Sequence, residues 1–393
     1  MKSHWKISAS ISALVIWGVA ASQTAAAREK ILHSFPAGSY PYGRPEEDSA
    51  GNLYGTAYLT KGMGIIYQRT ADRAFTKLHV FGGSDGANPV AGLTEDHLNT
   101  IFYGATRYGG VHNAGTVFSL APSGADWSYT VLHDFDDSVD GSLPDALLMR
   151  DETTGNLYGT TKSGGAFACG TVFVLSQSGQ SWNFQKIYDF QGGADGCGSV
   201  TQLQPGPKAG TLVGATTSGG SHNAGTIFEL TESGDTWSEA PIYNFKGGSD
   251  GGEPFDLTAA HDGKVYGATV VGGVSGFGTV FQLTPRRGKW NYSVICSFQG
   301  GSDGSNPEGI GFDSNSGRLY GTTLNGGSDG EGTVFELVRR SGVWSKTILH
   351  NFAGRPDGVG PASRPLIDPL TGILYGTTLG GGRNGGVLYQ IRP

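Results

Sequence analysis

Seven copies of one short phrase, Leu-Tyr-Gly-Thr or a close variant, run through this chain of 393 residues. They are centred on Gly55, Gly104, Gly159, Gly214, Gly267, Gly321 and Gly376, with steps of 49, 55, 55, 53, 54 and 55 residues. A fixed period of this size belongs to a repeat fold in which no unit buries its apolar face alone. Glycine is abundant, at 67 residues, and charged residues make up only 16%. Such a composition would fit disorder if the glycines were scattered. Here they are periodic and alternate with Val, Ile, Leu, Phe and Tyr, which points to strands.

Each unit contains four short extended segments, termed a to d. Around Gly214 these are 199–204, 211–216, 225–230 and 237–245. All are rich in β-branched and aromatic residues and are bounded by turn formers. Segment c repeats as Gly-Thr-Val-Phe, for example Gly115 to Phe118 and Gly278 to Phe281. Segment d carries Trp127, Trp182, Trp237, Trp290 and Trp344, with Phe75 read as the counterpart in the first unit. It ends in a Leu/Ile-x-x-Phe signature such as Leu132 to Phe135.

Four antiparallel strands per period of about 50 residues make one blade of a β-propeller. Seven repeats predict seven blades in an all-β domain spanning 28–393. The stretch Ile31 to Phe35 matches segment d, whereas the last unit stops at segment c, residues 386–391. The first strand is therefore expected to complete the last blade, closing the ring and removing an open edge.

The Gly-Gly pairs after segment b and the Trp on segment d resemble kelch-type blades. The phrases Leu-Tyr-Gly-Thr-Thr, Gly-Gly and Gly-Thr-Val-Phe-x-Leu resemble more closely the GloVer tandem repeats of exported bacterial and archaeal proteins. Some of those proteins carry C-terminal surface anchors; this chain ends at Pro393 without one, which favours a released or periplasmic protein. The resemblance supplies no reaction and no catalytic residues.

Lys2 and Lys6, the apolar run Ile7 to Val19 and the small residues Ala25, Ala26 and Ala27 form the pattern of a secretory signal peptide, 1–27. Loss of Lys2 and Lys6 takes the formal charge from −7 to −9. An acidic exported chain offers no broad attraction for nucleic acid or anionic membranes. No second apolar stretch reaches spanning length, so a soluble monomer is expected. Export permits a disulfide. Cys169 and Cys197 fall in neighbouring loops of one predicted face and are the candidate pair, leaving Cys296 as a thiol.

Three sets of residues are candidates for function. The d–a loops share an Asp-Gly turn, with Asp85, Asp140, Asp195, Asp250, Asp303 and Asp357. Such aspartates could serve calcium, the one cofactor considered, or sugar hydroxyls. Near-identical copies favour a turn rebuilt in each blade, in which Asp accepts backbone N–H groups. The b–c loops vary more and place His112 and His222 at matching positions, as ligand contacts or as solvated turns. At the start of segment a, residues flanking a proline should surround the channel mouth. Arg44, Glu46, Asp145, Glu253, Glu308 and Arg364 form a mixed charged ring there. Such a ring could bind a polar ligand, or simply form a solvated lip with internal ion pairs. No nucleophile elbow, zinc-protease motif, Cys-x-x-Cys pair or phosphate loop is present.

Two functions follow as expectations. The first is an exported, non-enzymatic binding or interaction scaffold for an extracellular or cell-envelope polymer or protein. The second is a secreted carbohydrate-active hydrolase or lyase using Glu46, Asp145, Glu253 or Glu308 as acid and base.

Overall fold

The computed structural model describes residues 28–198, 201–234 and 236–393. The expected signal peptide lies outside the described residues. The architecture is a seven-bladed β-propeller of small antiparallel sheets, four strands to a blade. The outermost strand of the last blade is Arg28–Pro36, paired antiparallel to Asn384–Arg392 from Arg28 opposite Arg392 to Pro36 opposite Asn384. The ring is thus closed by the chain's first described strand, as its sequence predicts.

The recurring phrases are the devices that build and join blades. In strand b, each of the seven glycines lies directly opposite the aromatic residue of strand c, as Gly267 does opposite Phe281. A Cβ on Gly267 would sit 2.3 Å from the Phe281 ring tip, and one on Gly159 would sit 2.3 Å from that of Phe173. The glycine is where the ring of the neighbouring strand lies flat across the sheet, so no side chain fits there. The Leu or Ile of the Leu/Ile-x-x-Phe signature is a β-bulge residue. Between Val131 and His133 the register shifts past Leu132, and the same shift passes Leu32 at the closure. The bulge turns the following Phe toward the next blade.

That Phe meets the strand-c aromatic of the next blade edge to face. The pairs run round the ring as Phe81–Phe118, Phe135–Phe173, Phe190–Phe228, Phe245–Phe281, Phe298–Phe335, Phe352–Tyr389 and, at the closure, Phe35–Tyr67. Their centroids are 5.1–5.7 Å apart. The Tyr of the strand-b phrase packs on the next blade's Trp, as in Tyr103–Trp182 and Tyr158–Trp237. The apolar core is therefore a ring of clusters straddling blade joints, which ties each blade's stability to its neighbours.

Two local expectations change. Phe75 is not the counterpart of the tryptophans. It stacks on His33 at 3.8 Å, as Tyr129 stacks on His79 and Phe184 on His133. It thus fills the position two residues beyond the Trp, and Arg73, two residues before it, lies in the turn that precedes the strand, with a φ of 81°. In the fourth blade, strand a is only Gln204–Pro205 rather than 199–204, and residues 199 and 200 lie outside the described residues.

Candidate functional site

The d–a and b–c loops meet on one face. Ala87 and Tyr108 exchange backbone hydrogen bonds of 2.7 and 3.0 Å, and Gly110 N donates to Gly83 O. The Asp of each d–a loop serves this framework. Asp85 accepts from Gly82 N at 2.7 Å, Asp195 from Gln191 N at 2.6 Å and Asp357 from Ala353 N at 3.0 Å. Strand-d side chains also hold these carboxylates, with His79 on Asp85 and Tyr188 on Asp195. These are Asp-based turns. Among the described residues no group of three His, Cys, Asp or Glu side chains is placed to hold a metal ion.

His112 and His222 are exposed on separate b–c loops. The asparagine after each adopts a positive φ, 55° at Asn113 and 54° at Asn223. Its Oδ1 accepts from Gly109 N or Gly219 N at 3.0 Å, so the His-Asn pair marks a turn. Cys169 and Cys197 form a disulfide joining the third blade's b–c loop to the following d–a loop, Cα–Cα 4.6 Å. Burial pushes the Cys296 thiol up to about 11.

A cavity of ≈ 90 Å³ occupies the centre of the ring, and every blade contributes to its wall. Blade one supplies Tyr42, Gly43 and Arg44; blade two Val90 to Gly92; blade three Asp145 and Leu147; blade four Gln202. Blade five supplies Phe255 and Asp256, blade six Glu308 and blade seven Ala362 to Arg364. Of the expected ring, Arg44, Asp145, Glu308 and Arg364 are brought together here. Glu46 lies outside the wall, in a separate depression with Glu47, Asp48 and Asp368. Glu253 is also outside. It is exposed, has a φ of 53°, and uses its N–H to latch onto Ala224 O of the preceding blade at 2.9 Å. Asn88, Leu143 and Asn306 form the same latch before their prolines, at 2.6, 3.0 and 3.0 Å. The residue after the proline is the one that faces the cavity.

The charges in the wall are mostly paired. Arg107 grips Asp145 with two bonds, Nε to Oδ1 at 2.7 Å and Nη2 to Oδ2 at 2.6 Å. Arg44 Nη2 bonds Glu46 Oε2 at 2.8 Å. Arg364 donates to Leu257 O at 2.8 Å, to Asp256 Oδ1 at 3.4 Å and to Gln202 Oε1. Burial raises the Asp256 carboxyl, and Arg364 and the N–H groups of Ile310 and Leu257 oppose that rise. Glu308 has a different environment. It is 7% exposed, its one side-chain hydrogen bond among the described residues comes from Tyr42 Oη at 3.5 Å, and burial raises its carboxyl to about 7. Tyr42, Gln202 and Asp256 were absent from the expected positions, whereas Phe255, which follows Pro254, lies in the wall as a residue flanking a segment-a proline should.

A second cleft of ≈ 340 Å³ adjoins the cavity and shares Tyr42 and Val90 with it; Tyr58, Asn88, Arg107 and Leu379 complete its lining. Tyr58 is stacked on Tyr40, centroids 4.6 Å apart. Around this face the b–c loops expose Met63, Tyr108, Val111, Phe167, Val274 and Phe277.

A family model described as Gloeobacter/Verrucomicrobia repeat matches residues 15–206 and 187–389. No curated protein matches the sequence. One similar solved structure is a Bacteroides fragilis protein provisionally assigned as 6-phosphogluconolactonase. It shares 14% identity, covers 83% of this chain and 87% of that one, and has a TM-score of 0.55. Another is the extracellular domain of a provisionally assigned hybrid two-component system of B. thetaiotaomicron, with 12% identity and a TM-score of 0.56. The match covers 91% of this chain but 39% of that one. At these identities the likeness is one of fold. Among the described residues no helix is long and apolar enough to cross a membrane.

Proposed function

For a chain that belongs to the Gloeobacter/Verrucomicrobia repeat family, we propose the role of an exported, non-catalytic binding propeller whose d–a/b–c face captures an extracellular carbohydrate. The observation that carries this reading is the cavity built by all seven blades and continued by an aromatic cleft through Tyr42 and Val90. Tyrosines in such a cleft offer flat apolar faces with polar tips, the chemistry that suits a sugar ring. Exposed apolar loop tips around the same face extend the contact area. Export is supported by the basic, apolar and small-residue pattern of 1–27.

Acid–base catalysis calls for two carboxyl groups with separated roles. Asp145 and Asp256 are each held by an arginine, which favours binding over turnover. The hydrolase reading retains one supporting observation, the raised Glu308 carboxyl, which is suited to a general acid. The purified protein is expected to be retained by at least one immobilised carbohydrate polymer without releasing new reducing ends. The double variant Tyr42→Ala/Tyr58→Ala is expected to lose about tenfold or more of that affinity. No retention on any polymer, or retention indifferent to both tyrosines, would contradict the proposal; release of reducing ends would favour the hydrolase.

A further inference from the structure

Three carboxyl groups stand in the cavity wall, and two have arginine partners: Asp145 with Arg107 and Asp256 with Arg364. The remaining wall cation, Arg44, is engaged by Glu46. Among the described residues, Glu308 faces the cavity with Tyr42 as its one side-chain hydrogen-bond donor and forms no ion pair with a basic side chain. A carboxylate buried without a counter-charge is an unfavourable arrangement that a bound cation would relieve. A ligand anion would meet three carboxyl groups and guanidinium groups already committed elsewhere. A neutral hydroxyl would leave Glu308 without its counter-charge.

We propose that the central cavity takes the ammonium group of an amino sugar, with Glu308 as its counter-ion. The inference rests on the carbohydrate-binding reading and narrows its ligand. Tyr42 and Phe255, both in the wall, supply aromatic faces of the kind that attract ammonium groups. The cleft beyond Tyr42 offers Tyr58 to the adjoining ring. This aromatic continuation favours a sugar over a lysine side chain as the carrier of the ammonium.

The test is calorimetric titration of the full protein near neutral pH with four probes: a glucosamine tetramer, its N-acetylated form, a neutral glucose tetramer and an acetyl-lysine-amide. The glucosamine tetramer is expected to bind about tenfold or more tighter than the N-acetylated form, whose nitrogen is uncharged. Glu308→Gln is expected to bring the two within about threefold. Glu308→Asp, which keeps the charge, is expected to keep the preference. Equal binding of charged and neutral tetramers, with no effect of Glu308→Gln, would overturn the ammonium assignment and leave the carbohydrate reading standing. Tighter binding of the lysine probe would overturn the amino-sugar assignment. Failure of the three sugars to bind, with retention on another carbohydrate polymer, would overturn the amino-sugar assignment alone; failure on every polymer as well would overturn both readings. Thermal melting of each variant separates lost binding from lost fold.

Discussion

Deleting residues 28–36 is expected to lower the melting temperature by about 10 °C or more, or to prevent folding. The deleted strand supplies the outer edge of the seventh blade along Asn384–Arg392. It also supplies Phe35, 1% exposed, whose ring meets Tyr67 at 5.2 Å and Phe75 at 5.7 Å. His33, stacked on Phe75, goes with it. Removing one buried Phe costs about 3–5 kcal/mol. The exposed sheet edge and the opened joint between the last and first blades add to that, against a total stability of about 5–15 kcal/mol for ordinary domains. A peptide of residues 28–36 added in trans is expected to restore part of the loss by binding the vacated edge. Scanning calorimetry of the two forms measures the effect. A melting point within about 2 °C of the native value would mean that the ring does not depend on this closure.

The second large effect is a pH dependence carried by Glu308. Its carboxyl lies at about 7 in the folded chain against 4.5 for a free glutamate, raised by burial. A group raised on folding contributes stability that is complete below its unfolded value. That contribution is lost as the pH climbs through the folded value. For Glu308 the window runs from pH 4.5 to about 7, and the gap corresponds to about 3 kcal/mol. Glu308→Gln holds the side chain neutral throughout. In urea titrations the variant should match the native protein at about pH 4.5 and exceed it by about 3 kcal/mol at about pH 8.5. Glu239, raised to about 8 by burial and by nearby Asp195, tilts the native curve in the same direction. The comparison therefore has to be native against variant at each pH. Equal stability of the two at both pH values would show that Glu308 is not buried without a partner.

The scaffold was legible because each of its devices recurs in every blade. A glycine that accommodates a cross-strand ring, a bulged Leu or Ile and a Phe that crosses to the next blade must be rebuilt seven times, so spacing alone reveals them. The cavity was harder to read, since its residues differ from blade to blade. The first and last blades each carry two prolines in the relevant segment, Pro41 with Pro45 and Pro361 with Pro365. Alignment on Pro45 and Pro365 selected Glu46 and missed Tyr42. The structural equivalents of Pro89, Pro144, Pro254 and Pro307 are Pro41 and Pro361, each of which packs on the glycine that opens the preceding strand c. Counting from Pro41 and Pro361 places Tyr42, Val90, Asp145, Phe255, Glu308 and Ala362 in one ring. The arginine partners were beyond reach for another reason. Arg107 reaches Asp145 from the b–c side of the preceding blade, and Arg364 reaches Asp256 across the ring. Such pairs join different columns of the repeat, and a one-dimensional period carries no information about them.

The most direct measurement is a crystal structure of the protein grown with the glucosamine tetramer. The account predicts an ammonium group within hydrogen-bond distance of Glu308 in the central cavity, the next ring over Tyr42 and Tyr58, and the Arg107–Asp145 and Arg364–Asp256 pairs intact. A sugar bound on the opposite face, or a Glu308 side chain turned from the cavity onto an arginine, would contradict it.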